Sequence, residues 1–241
     1  MNRRGLFQTL AAAGAAYGLQ SSLAKAAPAD LSKRARFRSA ICAYSFRRAL
    51  GAGTMTYDDL VRLAVELDID GLDLTVYWFP NTSDEFLLPL RRLAYRMGVD
   101  IYSISVRTEM TQPTAEKRAE EVAGIKKWVD VANKLSATHI RVFGGKVPDG
   151  ATEDQAAGWV AEVLKPAAEY AGSRGVILGL ENHGGITLEA KRIIEIVKKV
   201  DSPWVGINLD TGNFKTDPYA QIEMCLPYAV NSQFKTQIRY A

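Results

Sequence analysis

The chain has 241 residues, of which 47% are hydrophobic, and it carries 30 Lys and Arg against 27 Asp and Glu. This length and composition exclude a disordered tail, a collagen and a disulfide-stapled miniprotein, and they allow one large domain or at most two. The two cysteines, Cys42 and Cys225, are far apart in the sequence. We expect two free, buried thiols, with a disulfide between them as the alternative.

The first 26 residues are typical of a twin-arginine export signal. Arg3 and Arg4 precede an Ala-rich, mildly apolar stretch, and the small-x-small pattern of residues 24–26 predicts a cleavage site. An amphipathic helix or an uncleaved anchor is the alternative, but the stretch is too short and too rich in Gly and Ala for a good membrane span. We therefore expect recognition by the twin-arginine export machinery, a periplasmic or secreted location, and no stable membrane insertion. Residues 27–36 are expected to form a linker.

Removal of this signal changes the charge of the protein. Residues 1–26 contain Arg3, Arg4, Lys25 and no acid, so residues 27–241 carry 27 basic and 27 acidic side chains. A neutral chain lacks the basic field that nucleic acid or anionic lipid requires. We expect a small-molecule partner and no nucleic acid, and the oligomeric state is left open.

Short apolar runs alternate with segments of helical period along the rest of the chain. Seven runs predict strands, at residues 40–44, 71–76, 99–106, 140–143, 176–180, 205–209 and 229–234. Capping patterns predict helix starts at Thr56 and Thr152, and Thr187 is expected to begin a further helix. Pro166 predicts a kink or a break in the helix that follows Thr152.

The continuous strand–helix alternation determines the expected architecture. The strands are spaced by roughly 25–40 residues, as βα units require. No GxGxxG motif follows the first strand, so the α/β class is expected to be a (β/α)₈ TIM barrel and not a doubly wound sheet. A closed barrel needs eight strands, and the sequence ends shortly after the seventh. We therefore expect residues 37–241 to form a barrel that is truncated after the seventh strand.

Acidic side chains end two neighbouring predicted strands. Glu181 follows the run 176–180, and Asp210 follows the run 205–209. The alternation of side chains in a strand places both on an inward face, together with Arg141, Gln233 and Lys235 of other strands. TIM barrels hold their active sites at the C-terminal ends of the strands, so these side chains are expected to converge there.

Two carboxylates at one barrel mouth repel each other unless a positive charge lies between them. A divalent cation is one solution, because Mg²⁺, Mn²⁺ and Zn²⁺ accept carboxylate oxygens. The alternative is that Glu181 and Asp210 are scaffold residues in salt bridges, with Arg141 as a partner.

Two histidines differ in what their positions suggest. His183 follows Glu181 by two residues and precedes two glycines, so it is a metal ligand, a general acid or base, or a substrate donor; a structural loop histidine is the alternative. His139 begins a strand and is expected to be structural.

The strand-end motifs carry a family resemblance. Residues 179–185 (GLENHGG) and 208–213 (NLDTGN) together resemble the sugar phosphate isomerase/epimerase family of the xylose isomerase-like TIM barrel superfamily. The resemblance extends through residues 43–46 and 140–145 and covers nearly all of residues 37–236.

The resemblance implies a divalent metal held by Glu181 and Asp210. Mn²⁺ is the expected ion, with Mg²⁺, Co²⁺ and Zn²⁺ as alternatives. The third ligand of the family is usually a His on the seventh strand, where this chain has Gln233. We expect the amide oxygen of Gln233 to be the third ligand, although it coordinates a transition metal more weakly than imidazole. The fourth ligand belongs to an eighth strand. Asn213 stands where many members have another His.

The resemblance also implies proton transfer next to a sugar carbonyl by two opposed Glu residues, of which this chain has Glu181 and lacks the other. Glu181 and, from its position, His183 are the expected catalytic residues. Arg141, Lys235 and Tyr77 are expected to contact the sugar. The alternatives are a keto-glycoside lyase or hydrolase with the same site, and a non-catalytic sugar-binding barrel. A nuclease like endonuclease IV is disfavoured by the neutral chain. Export favours a free, oxidised or glycosidic sugar over a phosphorylated one.

Overall fold

The computed structural model describes residues 37–238. The expected export signal at residues 1–26 and the expected linker at residues 27–36 lie outside the described residues. Residues 38–238 belong to a single structural unit.

Seven parallel strands form one sheet. They are β1 (Ala40–Cys42), β2 (Gly71–Thr75), β3 (Asp100–Ser105), β4 (His139–Phe143), β5 (Ile177–Glu181), β6 (Val205–Asp210) and β7 (Ala229–Gln233). Each strand pairs with the next one along the chain, in the order β1-β2-β3-β4-β5-β6-β7. All seven predicted strands are present, and the α/β fold is the truncated TIM barrel that the sequence predicts.

Contacts across the interior show that the sheet curls. The hydroxyl of Tyr102 on β3 donates to Asn231 on β7 at 3.3 Å. The amide nitrogen of Gln233 on β7 lies 3.5 Å from Asp73 on β2. Strands that are four and five places apart in the sheet therefore meet through their side chains, and the inner face encloses a common interior. Within residues 37–238 no pairing joins β1 to β7.

Seven helices accompany the strands in the described part of the chain. They are α1 (Arg47–Gly51), α2 (Tyr57–Glu66), α3 (Asp84–Met97), α4 (Ala115–Leu135), α5 (Glu153–Gly172), α6 (Ala190–Val200) and α7 (Pro218–Cys225). Short 3₁₀ turns occupy residues 43–46, 76–78, 185–187 and 226–228. The first of these replaces the end of the predicted first strand, which stops at Cys42.

Helix starts follow the predicted caps in two places. The Thr56 hydroxyl accepts the Asp59 backbone N–H at 3.2 Å, and the Asp59 carboxylate accepts the Thr56 N–H at 2.9 Å. Thr152 and Gln155 make the same reciprocal pair at the start of α5. Both predicted capping boxes are confirmed.

The structure bears on two helix predictions. Of the kink or break predicted at Pro166, the break does not occur, because helix α5 continues to Gly172. The α6 helix begins at Ala190 and not at Thr187. The Thr187 hydroxyl instead donates to the Glu181 carbonyl at 2.8 Å and ties the loop to the end of β5. A hydroxyl close to a strand end can bond there as readily as at a helix start.

The hydrophobic core lies between the helices and the outer face of the sheet. Strand residues that point outward, including Leu74, Ile140, Leu178 and Ile207, are fully buried there. Both cysteines are free thiols as expected, Cys225 buried and Cys42 half-buried. Among residues 37–238, no helix combines the length and hydropathy that crossing a membrane requires.

Candidate active site at the C-terminal ends of the strands

The inner face of the barrel is polar although it is buried. Asp73, Ser105, Arg141, Glu181 and Asp210 are each less than 5% exposed. Because strand side chains alternate, the same strands present apolar residues to the helices and these residues to the interior. Buried polar groups must satisfy one another, so their contacts define the site.

Glu181 ends β5 and has three polar partners. Arg141 Nε lies 3.0 Å from Oε2, and His183 Nδ1 lies 2.7 Å from Oε1. The Asn213 side chain also donates to Oε1 at 3.1 Å. The salt bridge with Arg141 that the sequence offered as an alternative is therefore present, and it lies within the site.

Arg141 contacts three other residues besides Glu181. Its guanidinium donates to the Val106 carbonyl at 2.8 Å and to the Tyr77 hydroxyl at 3.2 Å, and it lies over the Phe143 ring at 4.0 Å. Burial would lower the pKa of Arg141, but the charge of Glu181 and the contact with Tyr77 outweigh burial and raise it. The guanidinium is a permanent, fixed positive charge.

His183 connects the buried Glu181 to the surface. Its ring stacks on Phe143 with centroids 4.1 Å apart, and its side chain is 54% exposed. Gly184 follows it with φ of 106°, a conformation that favours glycine. The His183 backbone N–H donates to the Glu181 carbonyl at 2.9 Å, which holds His183 close to Glu181.

Asp210 ends β6 and pairs with Lys235. Lys235 Nζ lies 2.8 Å from Oδ2, and the Gly212 amide donates to Oδ1 at 2.9 Å. Burial would lower the pKa of Lys235, but its bond to Asp210 and the charge of Asp210 outweigh burial and raise it. The Asn182 side chain bonds the backbone N–H and carbonyl of Asp210 at 2.8 and 2.9 Å, so the ends of β5 and β6 are joined.

Asp73 lies across the interior on β2. The Ser105 hydroxyl lies 2.8 Å from Oδ1 and 3.0 Å from Oδ2, and the Gln233 amide nitrogen lies near the same carboxylate. Burial raises the pKa of Asp73, while the charge of Arg141 and the bonds from Ser105 oppose the rise. Gln233 is therefore within the site, but its amide contacts Asp73 and not Glu181 or Asp210.

His139 lies one layer below Arg141 on β4. Its Nδ1 lies 2.8 Å from the Ser103 hydroxyl, and its Nε2 has no hydrogen-bond partner among the described residues. Burial and the charge of Arg141 lower the pKa of His139 to about 4. A neutral, buried histidine agrees with the structural role expected for it.

The expected metal can be tested against these donors. No group of three or more His, Cys, Asp and Glu side chains within residues 37–238 is arranged to hold an ion. The oxygens of Glu181 and Asp210 are already in ion-pair or hydrogen-bond contact with Arg141, His183, Lys235 and backbone or amide N–H groups. As arranged, the described donors do not fit a divalent metal. Two basic side chains provide the positive charge that the neighbouring carboxylates require.

Sequence reasoning brought together residues that lie close to one another in the structure, and it missed several of their partners. The predicted residues Tyr77, Arg141, Glu181, His183, Asp210, Gln233 and Lys235 all lie in this interior or at its mouth. The roles of Ser103, Ser105 and Asn182 were not predicted. Alternation along β3 could have indicated the two serines, and Asn182 directly follows Glu181 in its motif.

The seven parallel strands and their polar C-terminal mouth define a TIM-barrel protein with an enzyme-like interior. Residues 34–236 match the family described as xylose isomerase-like TIM barrel, and the chain belongs to this family. A comparison with curated proteins finds no match.

Solved structures with the same fold include named sugar epimerases. D-psicose 3-epimerase from Clostridium cellulolyticum H10, solved with D-tagatose, has a TM-score of 0.70 and 18% identity over 82% of this chain and 73% of that one. The 3-keto-D-glucoside 4-epimerase from E. coli has a TM-score of 0.63 and 13% identity over 74% and 73%. A xylose isomerase domain protein from Planctomyces limnophilus has a TM-score of 0.59 and 18% identity over 71% and 67%. At these identities the likeness shows the fold alone.

Proposed function

We propose that this chain is an isomerase- or epimerase-like protein that transfers a proton next to a sugar carbonyl. The observation that carries the proposal is the environment of Glu181. Its carboxylate is buried at the barrel mouth, oriented by Arg141 at 3.0 Å, and linked by His183 at 2.7 Å to a partly exposed ring. The sugar epimerases among the structural neighbours support the substrate class.

Glu181 has the chemistry of a general base. Its carboxylate accepts the proton from the carbon next to the carbonyl, the C–H electron pair forms a carbon–carbon double bond, and the carbonyl electron pair moves to oxygen. The Arg141 guanidinium, 3.0 Å from the carboxylate, fixes its direction. Return of the proton from Glu181 to the former carbonyl carbon, with transfer of the hydroxyl proton on the first carbon to the former carbonyl oxygen, completes an isomerisation.

Two further side chains complete the proposed site. The Lys235 ammonium is 44% exposed beside Asp210, where it can stabilise negative charge on the substrate oxygen. His183 receives the proton from Glu181 and exchanges it with water through its exposed edge. The Tyr77 hydroxyl accepts a hydrogen bond from Arg141, and Tyr77 is proposed to contact the sugar.

The substrate class and the cofactor are proposed from the predicted export signal and from the family resemblance. Export through the twin-arginine route, if residues 1–26 direct it, places the protein among free, oxidised or glycosidic sugars. Mn²⁺ stays a prediction from the resemblance, and each step above uses side chains of this chain alone.

Hydrogen exchange tests the proposal directly. The full chain is incubated in D₂O with a panel of aldoses, ketoses and keto-glycosides, and loss of the C–H signal next to the carbonyl is followed by NMR. We expect exchange with at least one sugar, and a decrease of about 10²–10⁴-fold in Glu181→Gln because the general base is lost. Glu169→Gln, on the exposed face of α5, is the matched control and should keep the wild-type rate.

The other results discriminate among functions. Release of the aglycone from a keto-glycoside would identify a lyase or hydrolase. Binding of a sugar without exchange would favour a non-catalytic sugar-binding barrel. Equal exchange by wild type and Glu181→Gln would contradict the role of Glu181.

A further inference from the structure

The two carboxylates that the family resemblance assigns to a metal each have a basic partner in this chain. Glu181 is paired with Arg141 at 3.0 Å, and Asp210 is paired with Lys235 at 2.8 Å. Both carboxylates are almost fully buried, so their charge is poorly screened by solvent. Two negative charges are therefore matched by two positive ones without a bound ion.

The loop after β6 hydrogen-bonds to the backbone of Lys235 and leaves space for its side chain. The Lys235 backbone N–H donates to the Thr211 hydroxyl at 3.1 Å, and the Thr211 N–H donates to the Gln233 carbonyl at 3.0 Å. A Cβ at Gly212 would lie 2.5 Å from Cγ of Lys235 and 3.0 Å from its Cβ. The absence of a side chain at Gly212 leaves the space that the lysine stem needs to reach Asp210.

The Lys235 ammonium occupies one carboxylate oxygen of Asp210, Oδ2, at 2.8 Å. The opposite oxygen, Oδ1, already accepts the Gly212 amide. Gln233, the residue that replaces the usual histidine ligand, directs its amide nitrogen to Asp73 at 3.5 Å. A divalent ion would therefore have to displace an ammonium from a buried carboxylate and would gain no third side-chain ligand from residues 37–238.

We propose that the Lys235 ammonium is the resident cation of this site and that it competes with divalent metal for Asp210. Metal loading then requires release of Lys235 from its pocket beside Gly212. The proposal concerns which cation Asp210 holds, and it stands whether or not the protein moves a proton on a sugar.

Mn²⁺ binding tests the competition without any substrate. Free Mn²⁺ is measured by its EPR signal during titration of the full-length, chelator-treated protein. We expect Lys235→Met to bind Mn²⁺ at least about tenfold more tightly than wild type, because a positive charge within contact distance of a buried carboxylate is removed. Lys235→Arg, which keeps the charge, should bind like wild type.

Two further variants locate the effect. Lys215→Met removes an exposed positive charge from the same loop region and should leave Mn²⁺ affinity unchanged. Addition of Asp210→Asn to Lys235→Met should abolish the gain. Circular dichroism confirms that each variant is folded, and Lys235→Gln replaces Lys235→Met if the latter does not fold. Mn²⁺ binding by folded Lys235→Met or Lys235→Gln that is equal to or weaker than binding by wild type, including no detectable binding by either protein, would overturn the proposal.

Discussion

Removal of the Arg141 guanidinium is the most informative perturbation of the site. Arg141→Met keeps most of the aliphatic stem and its packing against Phe143, but it leaves Glu181 with a buried negative charge and only His183 and Asn213 as partners. Breaking one side of a buried ion pair typically costs about 3–5 kcal/mol. The two remaining partners of Glu181 place the expected loss near the lower limit, about 3 kcal/mol. This is a large part of the roughly 5–15 kcal/mol that stabilises a typical domain.

A double-mutant cycle isolates the ion pair from the other contacts of Arg141. Urea unfolding, followed by tryptophan fluorescence, measures the free energy of unfolding of wild type, Arg141→Met, Glu181→Gln and the double variant. The double variant should be less destabilised than the sum of the single variants by about 2 kcal/mol, because it no longer contains an unpaired buried charge.

An exposed arginine is the matched control for the same substitution. Arg62 lies 3.6 Å from Asp59, and both side chains are about half exposed. Arg62→Met should cost no more than about 1 kcal/mol, as is usual for surface ion pairs. A loss below 1 kcal/mol in Arg141→Met, or strictly additive losses in the cycle, would refute the assignment of a tightly coupled pair.

Two further predictions concern the layer below the site. Because the pKa of His139 is about 4 in the folded protein against 6.5 when unperturbed, the unfolded chain binds more protons between these values. The free energy of unfolding should therefore fall by about 3 kcal/mol as the pH falls from 6.5 to 4. His139→Gln should remove this part of the pH dependence in unfolding curves. Parallel pH profiles for the two proteins would contradict the prediction. Gly179→Ala should destabilise by about 1–3 kcal/mol, because a Cβ there overlaps His139 Nε2 and approaches the Cβ of Asn208 at 3.0 Å. Gly158→Ala on α5, where the nearest atom is Lys199 Nζ at 3.7 Å, is the control and should stabilise slightly; equal effects at the two glycines would disprove the steric argument.

Local patterns alone determined most of the fold. All seven strands were predicted, because a run of apolar residues with a polar inward face is encoded in consecutive positions. The capping boxes at Thr56 and Thr152 were predicted for the same reason, since each cap and its partner are three residues apart. Thr187 failed as a helix start because its hydroxyl accepts the His183 backbone N–H at 3.3 Å and donates to the Glu181 carbonyl, the acceptor at the end of β5. That acceptor depends on how the loop folds back, which the local pattern does not report.

The sequence by itself determined which side chains share the barrel mouth, and only the tertiary structure decided how they pair. Side chains alternate between the two faces of a strand, so the position of a residue within its own strand is enough to place Arg141, Glu181 and Asp210 on the inward face. Pairing depends on register between strands that are distant in sequence and on loops that follow them. Those long-range contacts pair Arg141 with Glu181 and Lys235 with Asp210. The two basic side chains thereby supply the positive charge for which the sequence predicted a metal.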